Sequence, residues 1–224
     1  RQTDRQTERI ALIKLCQYVF GFAIVLLDDV IISLNTGLNP RQFFKLNTDD
    51  AENYYITIRE IVGGKIVTTD KTDRMNDEAL RLCNNRSNLE AGDVLFSGTG
   101  TIGETAVIEE TPRNWNIKEG VYTIKPNPTL LDSKFLRYLL MTQSMKDAYM
   151  RKAAGGTVQS VPMREVRLLP IPLPSLLRQK ELASTVERFD KLCNDIADGL
   201  PAEIEARRQQ YEYYRDKLLT FQEQ

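Results

Sequence analysis

Three prolines at alternate positions, Pro170, Pro172 and Pro174, divide this chain into two unlike parts. Proline fixes φ and carries no N–H, so this strip is excluded from a helix interior and reads as a stiff boundary. Before it the chain is a succession of short β-forming runs and glycine turns. After Ser175 the pattern is helical to the end. Leu182, Val186, Phe189, Cys193 and Ile196 recur at helical spacing, and beyond Gly199-Leu200-Pro201 the repeat tightens to a heptad. One set is Ile204, Tyr211 and Leu218; the other is Arg207, Tyr214 and Phe221. Such a seam suits a second helix laid along it. It has two destinations, the chain's own domain or an antiparallel partner helix, and the heptad favours the partner.

Ahead of the prolines, Val30 to Leu34 is a β-rich run that stops at Asn35-Thr36-Gly37, with Pro40 following. Tyr54 to Arg59 alternates in the strand period, and Gly63-Gly64 then turns the chain. Val94 to Ser97, Thr105 to Ile108 and Val121 to Lys125 are further strands, and Asp77 to Leu82 a short helix. Ser133 to Lys152 switches to helical spacing, with Ser133 as N-cap and Gly155-Gly156 as terminator. The expected fold class is α+β: a turn-rich mixed β domain with a packed helix, followed by a long C-terminal helix of coiled-coil type. The expected boundaries are 1–26, unassigned; 27–174, the β-rich domain; and 175–224, the helical region.

Charge and composition remove several function classes. The formal net charge is −1. Up to Pro174 there are 22 Lys and Arg against 21 Asp and Glu; after it, 8 against 10. A strongly basic domain is therefore absent, and any nucleic-acid contact must come from a local patch or from a basic partner. With no histidine, the usual general base and the Ser-His-Asp and Cys-His arrangements are missing. Cys16, Cys83 and Cys193 are widely separated, which argues against zinc and fits a reducing cytoplasm. Ile10 to Leu27 is apolar behind Arg1, Arg5 and Arg9 and so resembles a signal anchor. Lys14 and Gln17 interrupt it, it is short for a span, and no membrane role is expected.

Gly98-Thr99-Gly100-Thr101-Ile102-Gly103 spells G-x-G-x-x-G after a strand. A dinucleotide site needs a helix to begin there. Glu104 to Ile108 reads instead as another strand, and Glu104 stands where a P-loop needs lysine. The run is expected to be a tight β-turn. No Pro-Pro pair supplies an amino-methyltransferase motif, and Asp70-Lys71-Thr72-Asp73 reads as a solvated turn rather than a nuclease cluster. No catalytic residue, metal ligand or bound cofactor is expected.

Three segments carry a resemblance: AGDVLFS running into GTGTIGETAVI; AAGGTVQSVPMREVRLLPIPLPSLLRQKELAS; and FDKLCNDIADGLPAEIEARRQQYEYYRDKLLTF. Together they resemble the specificity subunit of type I restriction–modification systems, from about Leu27 to Phe221. The resemblance implies a target recognition domain that reads one half of a split double-stranded DNA site, with the helices as a ruler between halves. It implies methyltransferase subunits that supply S-adenosylmethionine, and a motor-nuclease subunit that supplies ATP and Mg chemistry. One recognition domain and one helix set make this a half-subunit, either paired with itself or a truncated gene product. Residues 1–26 do not resemble the family's usual approach to the first strand.

Within that reading, the polar 35–42 loop supplies Thr36, Asn39, Arg41 and Gln42, and the loop after Gly155 supplies Thr157 and Gln159, as groups able to bond base edges. Arg59, Lys65, Arg151 and Lys152 are the expected phosphate contacts. Ile204, Tyr211, Tyr214, Leu218 and Phe221 are the expected partner-helix or homodimer residues. The alternative is an assembly protein that recruits a methyltransferase without reading DNA.

Overall fold

The computed structural model describes residues 2–155, 158–194 and 201–221. Helix α1 (Gln2–Phe20) leads into β1 (Phe22–Leu26) and β2 (Ile31–Thr36). A single turn of helix, α2 (Pro40–Phe43), precedes β3 (Asn53–Ile56), the hairpin β4 (Ile61–Val62) and β5 (Lys65–Ile66), and β6 (Arg74–Met75). Helix α3 (Asp77–Ser87) is followed by β7 (Val94–Ser97), β8 (Thr105–Val107), β9 (Trp115–Ile117) and β10 (Val121–Pro126). Then come α4 (Ser133–Leu140), α5 (Gln143–Met150), α6 (Met163–Arg167), β11 (Pro170–Pro174), α7 (Leu176–Asn194) and α8 (Pro201–Leu219).

Two sheets lie at the centre, ordered β2-β10-β7-β8 and β6-β3-β9. All four residues of β7 are buried. Val94 and Phe96 join Leu34, Ile124, Phe135, Leu139 and Tyr149 in the helical core. Leu95, between them in sequence, joins Ala106 and Val121 against Ile56 and Ile117 of the second sheet. Strand alternation thus sends successive side chains into two cores, and a strand covered on both faces is restricted to apolar side chains and hydrogen-bonded small hydroxyls such as Ser97. Beyond the second sheet, Tyr55 and Met75 pack on Ala79, Leu80 and Cys83 of α3.

The proline strip, read from sequence as a stiff boundary that cannot be helix interior, forms a strand. β11 pairs antiparallel with β1, matching Ile24 to Pro172 and Leu26 to Pro170. Ile171 and Leu173 are fully buried. The Leu27 N–H donates to the Leu169 carbonyl at 2.9 Å, which places the ladder bonds at the odd-numbered positions of β11. The prolines occupy the alternate positions, where an N–H would point away from β1, so no ladder bond is lost.

The helical region between residues 133 and 152 divides in two. Asp132, not Ser133, caps α4 by accepting from the Phe135 N–H at 2.9 Å. Thr142 then caps α5. The helix expected over 77–82 continues to Ser87, where Asn88 closes it with φ 42°.

The C-terminal expectation of one long rod is corrected as well. Helices α7 and α8 flank residues 195–200, which lie outside the described residues. Phe189 and Tyr214 stack with ring centroids 6.3 Å apart. In one straight helix they would stand about 37 Å apart. Of the heptad positions, Tyr211, Leu218 and Phe221 pack against the chain's own core, with Phe221 5.2 Å from Phe22. Tyr214 is exposed apart from its stack on Phe189. The Ile204 and Cys193 side chains lie outside the described residues.

Helix α1 exposes Leu12, Leu15, Tyr18, Val19 and Phe20 and buries Ile13. Among the described residues no helix is long and apolar enough to cross a membrane.

Candidate nucleic-acid interface

Where the second sheet meets the β2–α2 loop, a cleft of about 550 Å³ opens. Asn39, Pro40 and Arg41 form one wall, and Tyr55, Thr57, Ile58 and Arg59 from the end of β3 form another. Asp73, Thr99 and the turn Lys118-Glu119-Gly120 complete it. Three expected DNA contacts are therefore brought together: Asn39 and Arg41 from one loop, and Arg59 from a segment distant from it in sequence.

Close backbone packing builds the cleft. An added Cβ at Gly37 would collide with the Ile117 carbonyl, so the β2–α2 loop lies directly on β9. Tyr55 donates its hydroxyl to the Leu38 carbonyl at 2.6 Å, and burial holds that phenol well above its usual pKa, as a neutral donor. Asn39 caps α2 by accepting from the Arg41 N–H at 3.1 Å. That bond occupies its side-chain oxygen, and among the described residues its amide N–H groups have no hydrogen-bond partner.

Beneath the 118–120 turn, Asn116 is fully buried and bridges Ser87 at 2.6 Å and Asn84 at 2.7 Å. This ties β9 to α3 and sets the direction in which the 118–120 turn emerges. The turn itself is held by the Lys118 N–H on the Ile56 carbonyl and the Gly98 N–H on the Gly120 carbonyl, both 2.8 Å.

The glycine run 98–103 is the connection of the β7–β8 hairpin, as expected, and no helix follows it. A Cβ at Gly98 would strike the Tyr122 ring, and one at Gly103 the Tyr149 hydroxyl. The Gly100 N–H donates to the Gln159 carbonyl at 3.0 Å. Gln159 is thereby placed beside Thr99 and the cleft, and its side chain is exposed. Among the described residues no group of three or more Cys, Asp or Glu is placed to hold a metal ion.

The remaining expected contacts divide. Thr36 is corrected: it is buried, donates to the Val121 carbonyl and accepts from the Gly120 N–H, each at 3.1 Å. Its hydroxyl is spent on the scaffold. Lys65 stands outside the cleft, on a separate surface, 3.9 Å from Glu109. Lys152 lies 3.7 Å from Glu165, and Arg151 is exposed at the end of α5. Gln42 is exposed on α2 beside Arg41. Thr157 lies outside the described residues.

Asp73, Thr99, Lys118 and Glu119 line the cleft without having been marked as contacts by sequence. Gly120 was the available signal, since a glycine with φ 91° marks a tight connection whose flanking side chains project outward. Arg41, Arg59 and Lys118 face Asp73 and Glu119, three positive groups against two negative. The cleft is near neutral.

Comparison with known proteins agrees with this architecture. A putative type I restriction enzyme specificity subunit from Haemophilus influenzae is 35% identical over 130 residues, 58% of this chain and 32% of that protein. The Escherichia coli EcoR124I/EcoR124II specificity subunit is 31% identical over 105 residues, 47% of this chain and 26% of that protein. The chain thus spans about a third or less of the length of these relatives. The HsdS subunit from Thermoanaerobacter tengcongensis superposes with TM-score 0.55 at 19% identity, covering 88% of this chain and 46% of that one. A chain from a study of complex assembly and conformational transition of the type I R-M system gives 0.58 at 16% identity, covering 97% and 53%. The family model of the type I restriction modification DNA specificity domain matches residues 22–206, and the chain belongs to that family.

Proposed function

We propose that this chain is a non-catalytic specificity module that reads one half of a bipartite double-stranded DNA site for a type I restriction–modification complex. The observation that carries the reading is the cleft, in which Asn39, Arg41, Arg59 and Lys118 converge from three separate segments on a backbone fixed by buried hydrogen bonds. Amide and guanidinium groups are the side chains that discriminate bases in the major groove, each good bidentate pair contributing about 1–3 kcal/mol. Asn39 and Arg41 on one wall, Gln42 beside them and Gln159 on the adjoining loop are the base readers; Thr157, outside the described residues, is the further one expected. Arg59, Arg151 and Lys152 contact phosphate. Thr36 is left out, because its hydroxyl has no bonding capacity to spare, and Lys65 because it faces away.

Methyltransferase subunits dock on the module and bring S-adenosylmethionine; the motor-nuclease subunit brings ATP and Mg. These partners also supply the basic surface that a near-neutral cleft lacks. The α7–α8 region sets the distance to a second reading module, supplied by a second copy or by a two-domain subunit.

The test is selection of bound sequences from a randomised duplex pool by the chain assembled with its methyltransferase. A fixed motif is expected. Arg41→Ala should weaken binding to that motif by ten-fold or more and leave scrambled duplex nearly unaffected. Equal losses on both duplexes would remove Arg41 from base reading. A pool without enrichment would favour an assembly protein, the reading to which the near-zero charge also lends itself.

A further inference from the structure

We infer that Lys118 and Glu119 form a paired reading head for a G·C base pair, an assignment that rests on the DNA-reading proposal above. Both side chains are exposed and both line the cleft. Among the described residues, neither side chain has a hydrogen-bond or ion-pair partner. Arg59 and Asp73, in the same cleft, differ in that they bond to each other at 2.9 Å.

The backbone beneath the two residues is among the most constrained in the domain. The Lys118 N–H bonds to Ile56, the Val121 N–H returns to the Lys118 carbonyl at 3.1 Å, and Gly120 is bonded on both sides, to Thr36 and Gly98. Gly120 has φ 91°, and a Cβ there would press on the Thr99 side chain at 2.9 Å. A rigid turn that displays free polar ends is pre-organised for recognition, since little backbone freedom remains to be lost on binding.

The bonding capacities of the two side chains point to the target. A carboxylate on a DNA-facing wall is repelled by phosphate, so Glu119 is a poor component of a general backbone-binding surface. A carboxylate accepts hydrogen bonds only, and in the major groove the cytosine N4 amino group is its matching donor. Lysine donates only, and guanine presents O6 and N7 as acceptors. A G·C pair offers that acceptor edge and that donor edge side by side. An A·T pair also sets a donor, adenine N6, beside an acceptor, thymine O4, but guanine offers the Lys118 ammonium two adjacent acceptors, O6 and N7, where thymine offers one, and its partner cytosine then places N4 against Glu119.

The experiment is methylome sequencing in a host that lacks the system, with the chain expressed alongside the methyltransferase of its own system. The wild-type motif should contain a G·C position whose base preference falls about ten-fold in Glu119→Gln and in Lys118→Ala, while all other positions hold. The melting temperature of each variant should match the wild type, because neither side chain has a partner in the fold. A wild-type motif left unaltered at every position by both variants overturns the assignment. If a variant lays down no marks, duplexes with 7-deazaguanine at the G·C position give the answer by binding. The analogue should weaken the wild-type assembly and leave Lys118→Ala unaffected; equal weakening of both overturns the assignment. Absence of any motif from the wild type is a different outcome, which defeats the DNA-reading proposal itself.

Discussion

Arg59 and Asp73 meet at the cleft with Nη2 and Oδ2 2.9 Å apart, so one of its three cations is already engaged by an acid. Asp73 also accepts from the Asn47 amide at 2.9 Å. The acid restrains Arg59 and lowers the positive potential of the surface. Asp73→Asn should raise affinity for scrambled duplex several-fold and steepen the salt dependence by about one ion. Titrations of matched and scrambled duplexes at several salt concentrations test this. An unchanged salt slope would show that Arg59 does not reach phosphate.

Thr36 is a scaffold residue, and its replacement should act on stability. Thr36→Val leaves the Gly120 N–H and the Val121 carbonyl without their buried partner. The expected loss is about 1–3 kcal/mol in chemical denaturation. Arg41→Ala, at an exposed position, should leave the midpoint within about 0.5 kcal/mol of the wild type. Equal midpoints for Thr36→Val and the wild type would return that hydroxyl to the list of DNA contacts.

Docking of α8 on its own domain makes Leu219, 2% exposed, part of the core. Leu219→Ala should cost about 2–5 kcal/mol and speed hydrogen exchange along α8. A cost below about 0.5 kcal/mol would mean that α8 leaves this position in solution. Light scattering on the same samples would then show whether a second copy takes up the seam.

The contact between α4 and α7 should weaken in acid. The Lys134 ammonium hydrogen-bonds the Glu187 carboxylate at 2.9 Å and holds its pKa below the ordinary 4.5. A carboxylate whose pKa falls on folding adds stability above its unfolded value and loses it as pH drops through the folded one. Because both side chains are partly exposed, the amount is at most about 1 kcal/mol. Denaturation midpoints measured from pH 6 down to about pH 3 should fall less steeply in Lys134→Ala than in the wild type. Parallel curves would show that the pair contributes nothing.

Local patterns made much of this architecture legible from sequence. A short continuous run of β-formers marked the strand over 94–97 to the residue, because a strand covered on both faces admits only apolar side chains and small hydroxyls. The run Gly98–Gly103 read as a turn because its next residues alternate like a strand, and glycine is required there by contacts with Tyr122 and Tyr149. Asn39 and Arg41 were legible as cleft residues because a polar loop bounded by glycine and proline projects its side chains.

What the chain's own pattern left undecided was each relationship between distant segments. Thr36 and Asn39 are both polar loop residues in sequence; only the arrival of Gly120 and Val121 beside Thr36 turns one into scaffold and leaves the other at the cleft. The alternating prolines announced an end to helix, yet they became a strand because β1 supplies partners on the one edge where their missing N–H groups do not matter. The heptad in α8 specifies an apolar seam but not its partner. Burial is indifferent to chain connectivity, so only the tertiary arrangement decided that Leu219 and Phe221 rest on their own domain.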